Sequence, residues 1–438
     1  YSDAQSAVRI FYRPLTAAAA QYMEAPAPAG IPARRPVEVD INNLSPGINY
    51  AYTIMFQNVV GGQECPIAQT REHSFATAKP PGVPFQFAVV ADIHIHDDGS
   101  YFEDIFRSTL SQIDNEKTSG GGIDFVVDIG DTFMGGKPEL AYTPATVEKP
   151  YQDIFRLYSE VCKEAPLFLA NGNHDFELGW EINGESSMPV ICQKYRQEYF
   201  MNPSRLGSFY RVNQDVDFAS VGPPGNYYAW EWGDAQMIVL DPFWYTMIPP
   251  KHNPKREPWT WTLGDDQYEW LYQTLSSSNA LYKFVFIHHV TGGVFGTPKE
   301  AGGGGAPKYS RYFEWGGYEP SGEYNYAERR PGWTHGSIHE MLVKYGGSVV
   351  FRGHDHLYFQ EPLDSVVYNT VMKPSVAYGD TGSPMAIEMA DERGYPGNEV
   401  KFESGYMKVT VTDKQAIMTY VAYNGRIIDQ YTVKPFRR

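Results

Sequence analysis

One stretch of the chain joins a largely apolar run to an aspartate and a histidine: Phe85-Gln86-Phe87-Ala88-Val89-Val90-Ala91-Asp92-Ile93-His94. The run has the composition of a strand that is buried on both faces. Apolar runs of the same kind recur at residues 124–131 and 166–170. Between them, residues 101–116 and 151–161 carry apolar side chains at helical spacing. This β-α-β-α-β order predicts an α/β layered domain.

Side chains that can bind metal ions follow these three strands and two later ones. The motifs are Asp92-Ile93-His94, Gly130-Asp131, Gly172-Asn173-His174-Asp175, His288-His289 and Gly353-His354-Asp355-His356. In open α/β sheets, ligands bind beyond the carboxyl ends of the strands, so five such strands would deliver these groups to one place. Each motif alone also fits a solvated loop, a helix cap or a turn. Their occurrence together, all at strand ends, predicts a metal site.

The length and charge of the chain limit its function. A chain of 438 residues exceeds one ordinary hydrophobic core and predicts two domains. Its net charge of -16 at pH 7 repels polyanions, which disfavours binding to long DNA or RNA. A small phosphorylated substrate is compatible with this charge, because bound cations reverse the local field. No apolar run approaches the roughly 18 residues of a membrane span, so we expect no such span.

Residues 1–80 have the pattern of a separate all-β unit. Short alternating stretches indicate strands. Leu44-Ser45-Pro46-Gly47 precedes Tyr50 as at the corner of fibronectin type III domains, where a tyrosine hydroxyl binds upstream backbone. Residues 79–84 have the composition of a linker. We therefore predict a small immunoglobulin- or fibronectin-like β-sandwich over residues 1–80 and a catalytic domain over residues 84–438.

The five motifs together resemble the consensus of the calcineurin-like metallophosphoesterases, which runs Asp-x-His, Gly-Asp, Gly-Asn-His-Asp/Glu, His, Gly-His-x-His. The resemblance extends from Phe85 to the C-terminus and implies a four-layer α-β-β-α sandwich. With the N-terminal unit before it, the layout is similar to that of purple acid phosphatases. The resemblance implies two metal ions, one held by Asp92, His94, Asp131 and His356, the other by Asp131, Asn173, His288 and His354. Asp131 would then bridge ions about 3.5–4 Å apart.

Two positions depart from the purple acid phosphatase pattern. Met134 stands where those enzymes carry a tyrosine three residues after the bridging aspartate, and His94 stands where they carry glycine. Without a phenolate ligand we expect no purple colour and no obligatory ferric ion. The oxygen and nitrogen ligands suit two divalent or trivalent ions among Fe, Mn and Zn.

The implied reaction is the hydrolysis of phosphomonoesters, phosphodiesters or both by a hydroxide that bridges the two metal ions. His174 is not required as a ligand, and we expect it to bind the phosphate or protonate the leaving group, with Asp175 orienting it. Arg329 and Arg330 lie in an aromatic stretch over residues 309–333 and are candidates for binding substrate phosphate. That stretch is expected either to cover the metal site or to pack against the N-terminal unit.

Several alternatives stay open from the sequence. The same scaffold fits a nucleotide phosphodiesterase or nuclease, and a non-catalytic cell-wall-binding module is the alternative of another class. His288 is favoured over His289 as a ligand, because neighbouring side chains of a strand point to opposite faces. The glycine run over residues 302–305 is interpreted as a mobile hinge, and whether Cys162 and Cys192 pair is undecided. The expected location is secreted, periplasmic or otherwise extracytoplasmic, and the oligomeric state is open.

Overall fold

The computed structural model begins with an antiparallel sheet. The residues that the structure describes are 5–15, 21–28, 30–33, 35–97, 99–116, 122–135, 142–200, 203, 209–212, 221–253, 255, 257–292, 303–377 and 382–437. The strands of the first sheet are β1 (Gln5–Pro14), β2 (Met23–Ala25), β3 (Asn49–Val60), β4 (Gln63–Glu64), β5 (Ala68–Gln69) and β6 (His73–Ala76). The long strand β3 pairs antiparallel with β1, β4, β5 and β6. At the start of β3, the hydroxyl of Tyr50 accepts a 2.9 Å hydrogen bond from the backbone N–H of Ser45.

Two larger sheets follow in the chain. Their strands are β7 (Phe85–Val90), β8 (Phe125–Asp128), β9 (Leu167–Leu169), β10 (Tyr210–Arg211), β11 (Tyr228–Trp232), β12 (Ala235–Val239), β13 (Tyr282–Phe286), β14 (Val349–Arg352), β15 (Phe359–Leu363), β16 (Val366–Thr370), β17 (Gly405–Val411), β18 (Ala416–Ala422) and β19 (Ile427–Val433). The six-stranded sheet has the order β19-β18-β17-β7-β8-β9, and the seven-stranded sheet has the order β10-β11-β12-β13-β14-β16-β15. In each sheet the strands that lead to the motifs run parallel: β7, β8 and β9 in one, and β13 and β14 in the other.

The two larger sheets pack face to face, and helices cover their outer faces. The helices are α1 (Glu103–Asn115), α2 (Glu148–Cys162), α3 (Met188–Tyr199), α4 (Asp265–Ser277), α5 (Phe313–Gly316), α6 (Tyr326–Arg329), α7 (Ile338–Tyr345) and α8 (Pro384–Glu392). A shared core joins the inner faces of both sheets. Side chains of α1, α2 and α3 pack on the outer face of the six-stranded sheet, and those of α4 to α7 pack on the seven-stranded sheet. The resulting layers are α-β-β-α, as the sequence predicts.

Strand β7 shows why its sequence from Phe87 to Val90 is a continuous apolar run. Phe87 and Val89 point into the core between the sheets, whereas Ala88 and Val90 pack beneath the helices. Because side chains of a strand alternate between its two faces, a strand inside a four-layer fold needs apolar residues wherever both faces are buried. The same alternation makes Asp92 the first polar residue beyond the buried part of β7.

The aromatic stretch over residues 309–333 contributes four rings to the core on the seven-stranded sheet, whereas one of the two expectations packed it against the N-terminal unit. Phe313, Trp315, Tyr326 and Trp333 are buried in the helical layer on the seven-stranded sheet. The indole N–H of Trp315 donates a 2.7 Å hydrogen bond to the hydroxyl of Tyr368. These side chains are therefore not available to line an open binding cleft.

Cys162 and Cys192 do not form a disulfide in the structure, where Cys192 is buried and Cys162 is half-buried. Burial raises the pKa of the Cys192 thiol, so this side chain behaves as a small apolar core residue. Within the described ranges, none of the helices has the length and apolar character that crossing a membrane requires.

Candidate metal centre

The five motifs meet at the carboxyl ends of strands in both large sheets. Asp92 and Asp131 follow β7 and β8 of the six-stranded sheet, and His288 and His354 follow β13 and β14 of the seven-stranded sheet. The loops of the first two motifs are tied together by backbone, because the N–H of Asp92 donates to the carbonyl of Gly130 at 2.9 Å. The site therefore lies where the edges of the two packed sheets adjoin.

One group of ligand atoms comes from Asp92, His94 and His356, which lie within 4.8 Å of one another. Oδ1 of Asp92 is 3.4 Å from Nε2 of His356 and 3.6 Å from Nε2 of His94. The two imidazole nitrogens face each other at 3.3 Å. Two nitrogens and a carboxylate oxygen converging on one point form a donor set typical of a transition-metal site.

A second group comes from Asp131, His288 and His354, also within 4.8 Å of one another. Oδ2 of Asp131 lies 3.1 Å from Nε2 of His288 and 3.4 Å from Nε2 of His94, which belongs to the first group. Asp131 thus connects the two groups. The side chain of Asn173 lies beside them, and its Oδ1 accepts a 2.7 Å hydrogen bond from Nδ1 of His354.

The hydrogen bonds of the histidines show that the site fits cations. Nδ1 of His288 donates to the carbonyl of Ile129 at 3.0 Å, and its Nε2 is directed at the carboxylate of Asp131. Nε2 of His354 is buried and has no hydrogen-bond partner in the part of the chain that the structure describes. A buried acceptor without a donor is unfavourable. A metal ion beside Nε2 of His354 would satisfy this acceptor, and the outer hydrogen bond from His288 to Ile129 is the kind that orients a histidine ligand.

The backbone of the motifs is strained at the residues that supply ligands. The φ angles are +58° at Asp92, +53° at His94, +53° at Asp131, +69° at His354 and +52° at His356. Non-glycine residues seldom adopt this left-handed conformation, which persists only where surrounding structure enforces it. Such strain concentrates at functional sites, so the backbone marks the same residues that the side-chain geometry brings together.

Two motif glycines are required by close approach between loops. A Cβ atom on Gly172 would lie 2.1 Å from the backbone nitrogen of Asp131. A Cβ atom on Gly353 would lie 2.4 Å from Oδ2 of Asp92. Any larger residue at either position would push one predicted ligand away from the others.

In the absence of a metal ion, the electrostatics of the site favour anionic carboxylates, a protonated His288, and neutral imidazoles at His354 and His356. Burial by itself raises the pKa of Asp131, but the adjacent His288 outweighs burial and holds this pKa well below its usual range. Burial lowers the pKa of His288, whereas Asp131 raises it, and the result is a pKa of about 10. At His354, burial and the charge of Arg393 lower the pKa, and at His356 burial lowers the pKa to about 4. Carboxylates and neutral imidazoles are the forms that bind metals.

His174 and Asp175 lie next to the ligands, but Asp175 does not orient His174 as we expected. Nδ1 of His174 donates instead to the backbone carbonyl of Gly135 at 2.6 Å. The carboxylate of Asp175 accepts backbone N–H groups of Asp131, Phe133 and Gly172 at 2.6–3.0 Å. A short side chain beside a tight loop binds the nearest free backbone donors. Asp175 therefore holds the loop that contains Asp131, and the carbonyl of Gly135 orients His174.

The two arginines proposed for substrate phosphate are engaged elsewhere. Arg330 forms an ion pair with the buried carboxylate of Glu314 at 2.6 Å. Arg329 forms a 2.8 Å ion pair with Glu319. Both guanidinium groups also lie over the ring of Trp259. Their charges are paired with carboxylates and aromatic faces of the helical layer, and phosphate binding by these arginines stays a prediction.

His289 packs against aromatic rings, whereas the neighbouring His288 belongs to the second ligand group. Its ring packs edge-on against Phe243 and Trp261, with ring centres 4.9 and 4.8 Å away. Burial lowers the pKa of His289 to about 3, so the ring is neutral. Alternation along the strand is the signal that separates His288 from His289.

Sequence reasoning missed residues that support the site from outside it. The structure describes three glycines of the glycine run, Gly303, Gly304 and Gly305, and all three are buried. A Cβ atom on Gly303 would lie 2.5 Å from the ring of His289. The hinge interpretation is therefore wrong for these residues, because they are glycine to let the chain approach the site. Asn171 donates to Asp241 at 3.0 Å and so fixes the start of the third motif. The position of Asn171 directly before the third motif is the sequence signal that could have identified it.

Comparisons with known proteins agree with this geometry. The family model of the calcineurin-like phosphoesterases matches residues 85–358. The comparison with curated proteins found no match. Among solved structures, the chain is similar to purple acid phosphatase PPD1 isolated from yellow lupin (Lupinus luteus) seeds, at 14% identity and a TM-score of 0.60, covering 99% of this chain and 70% of that chain. It is also similar to PhoD, at 14% identity and a TM-score of 0.57, covering 99% of this chain and 83% of that chain.

At this identity the two solved structures show a shared fold and no more. The family match spans more than half of the 438 residues and includes all five motifs. It confirms the resemblance that the motifs indicated: this chain belongs to the calcineurin-like phosphoesterase family.

Proposed function

We propose that this protein hydrolyses phosphate esters with two metal ions as cofactors. The observation that carries the proposal is the position of Asp131, whose Oδ2 lies 3.1 Å from His288 and 3.4 Å from His94. These histidines belong to different ligand groups, so Asp131 stands where a bridging carboxylate would stand in a two-metal site. Membership of the phosphoesterase family supports the reaction class.

We propose that each ligand group binds one of the two metal ions. One ion would be held by Asp92, His94, Asp131 and His356, and the other by Asp131, Asn173, His288 and His354. Two ions held in this way would supply Lewis acidity toward phosphoryl oxygens and would lower the pKa of a water molecule towards neutrality. The amide of Asn173 adds an oxygen without a charge, which limits the negative charge around a phosphate.

His174 is the residue that we infer to act on the substrate. Its ring centre lies 5.4 Å from that of His94, so it borders the first ligand group. The hydrogen bond from Nδ1 to the carbonyl of Gly135 leaves Nε2 for the substrate. We infer that Nε2 binds a phosphate oxygen or carries the proton that goes to the leaving alkoxide.

The metal ions are proposed to be Fe, Mn or Zn, because the ligands are carboxylate, amide and imidazole. Met134 is buried at the position where a purple acid phosphatase has its tyrosine ligand. A thioether cannot supply the phenolate that gives those enzymes their colour. The proposed centre is therefore not purple and does not require a ferric ion.

The N-terminal unit is proposed to be a fibronectin type III-like domain over residues 1–80, followed by the catalytic domain over residues 84–438. The antiparallel sheet around β3 and the bond between Tyr50 and Ser45 support this assignment. The proposed location is secreted, periplasmic or otherwise extracytoplasmic, on the similarity of layout to purple acid phosphatases. Fractionation of cells that produce the protein, followed by an activity assay of each fraction, tests the location.

The decisive experiment compares metal content and hydrolysis in the same preparations. Apoprotein would be reconstituted with Mn²⁺, Zn²⁺ or Fe and assayed on aryl phosphates, bis-aryl phosphates and nucleotides. Asp131→Asn should lose bound metal and lower kcat/KM by at least about 100-fold, which exceeds most changes outside the ligand shell. Asp266→Asn, an exposed position in α4, is the matched control.

Wild-type protein that binds two ions per chain and hydrolyses no phosphoester would refute the proposed reaction. The substrate panel also separates monoester from diester preference. Cleavage of duplex DNA with a steep dependence on salt would favour the nuclease alternative instead.

A further inference from the structure

Asp355 occupies an unusual place between two predicted metal ligands. His354 on one side belongs to the second ligand group, and His356 on the other side belongs to the first. Both histidines have left-handed backbone angles, with φ of +69° and +52°. A loop that aims two such histidines at separate ions needs an external restraint, since strained conformations persist only where neighbours enforce them.

The carboxylate of Asp355 is the point at which that restraint is applied. Asp355 is 2% exposed and accepts hydrogen bonds from the guanidinium of Arg393 and the hydroxyl of Tyr395. It also accepts the backbone N–H of Gly305 at 2.8 Å. Arg393 makes a second bond to the same loop by donating to the carbonyl oxygen of His354 at 3.2 Å. Arg393 therefore holds the loop at both its side chain and its backbone.

The glycine run completes the enclosure of Asp355. A Cβ atom on Gly304 would lie 2.3 Å from Oδ1 of Asp355 and 2.7 Å from Cδ2 of His354, so only glycine fits. The hydroxyl of Tyr395 also lies 3.0 Å from the carbonyl oxygen of Gly305. Two separate chain segments, residues 304–305 and 393–395, thus converge on one carboxylate.

Arg393 and Tyr395 follow helix α8 and lie beyond residue 358, where the family match ends. The α8 segment has a small core of its own. This core contains Ala306, Leu357, Phe359, Ala386, Ala390, Tyr395, Val400 and Phe402. Because the core joins α8 to the chain directly after the fifth motif, it fixes Arg393 relative to the loop that carries the two histidines.

We propose that Arg393 and Tyr395 are positioning residues that hold Asp355 and thereby keep His354 and His356 directed at two different metal ions. The inference rests on the proposed two-metal function. It adds that a segment outside the family motifs sets the metal affinity of this chain. Neither residue touches the substrate in this arrangement. Their effect is transmitted through the backbone of the fifth motif.

The test measures metal binding and stability separately. Mn²⁺ and Zn²⁺ would be titrated into apoprotein by calorimetry, in separate experiments, for Tyr395→Phe, Arg393→Met, Asp355→Asn and the double variant of the last two. Each single variant should bind metal about 10–100-fold more weakly, as expected when a group that orients a ligand is lost. Thermal unfolding of the apoproteins should show a lower midpoint for Asp355→Asn, because Arg393 is left buried without its counter-charge.

The double variant distinguishes a positioning role from a merely structural one. It removes both charges, so its unfolding midpoint should recover towards that of the wild type, while its metal affinity stays low. Lys408→Met is the matched control, because it breaks the 3.0 Å ion pair with Glu116 that joins β17 to the C-terminal end of α1. Its metal affinity should equal that of the wild type.

Recovery of metal affinity together with stability in the double variant would overturn the inference, as would wild-type affinity in Tyr395→Phe and Arg393→Met. Wild-type apoprotein that binds neither Mn²⁺ nor Zn²⁺ in these titrations, nor Fe on reconstitution, would overturn the proposed function and this inference with it. Failure of this inference alone is distinguishable from failure of the proposed function, because the inference can fail alone only if the wild-type protein binds metal.

Discussion

Gly172→Ala should separate Asp131 from its partners without changing any ligand. The added Cβ would lie 2.1 Å from the backbone nitrogen and 2.3 Å from Oδ1 of Asp131, whereas ordinary contacts begin at 3.4 Å. The two loops must therefore move apart by about 1.3 Å, a strain of about 1–3 kcal/mol in unfolding free energy. A displacement of about 1 Å at a reacting site costs on the order of 100-fold in rate. We expect a loss of about 100-fold in kcat/KM and of about 10–100-fold in metal affinity.

The assay is hydrolysis of an aryl phosphate by metal-reconstituted protein, with metal affinity measured by calorimetry. Gly397→Ala is the matched control, because this glycine is exposed and its added Cβ would meet only a carboxylate oxygen of Asp391 at 3.2 Å. Metal affinity and kcat/KM within twofold of wild type in Gly172→Ala would refute the reasoning, since the close approach of the two loops would then be unnecessary.

Four further outcomes follow from single side chains. His174→Ala should lower kcat by about 10²–10⁴-fold while elemental analysis still finds two metal ions per chain, because this residue is inferred to transfer a proton and not to bind metal. Tyr50→Phe should lower the unfolding free energy by about 0.5–1.5 kcal/mol in urea titrations and leave kcat unchanged, because it removes the bond to Ser45. Burial raises the pKa of Asp241 from 3.8 to about 7 in the folded protein. As the pH rises, Asp241 therefore loses its proton at a lower pH in the unfolded chain than in the folded protein. Between about pH 4 and about pH 7 the unfolding free energy should therefore fall by at most about 4 kcal/mol, and Asp241→Asn should flatten that fall. Because Met134 replaces the tyrosine ligand, the iron-loaded protein should show no tyrosinate–iron band in its visible spectrum.

The α/β layered class and the positions of the candidate metal ligands could be predicted from local patterns, whereas the four-layer order was implied by the family resemblance. The run from Phe87 to Val90 is apolar at every position because both of its faces are buried, and that is visible without a structure. The ligands then follow at the strand ends, as at Asp92 and Asp131, because the carboxyl edge of a parallel sheet is where side chains become free to converge. Alternation along the strand also favours His288 over His289 as the candidate metal ligand, and this alternation is a property of the backbone alone.

The partners of the charged groups required the folded chain. Asp175 lies beside His174 in sequence but binds backbone N–H groups across the site, and Arg330 is committed to Glu314. Asp355 and Arg393 are 38 residues apart, and nothing in the residues between them signals the contact. A hydrogen bond or ion pair depends on which groups come within about 3 Å, so its partner is selected by packing between distant segments. Strand alternation is a property of the local backbone, and for that reason motifs reveal which residues can bind metal, whereas tertiary packing selects which residues hold them in place.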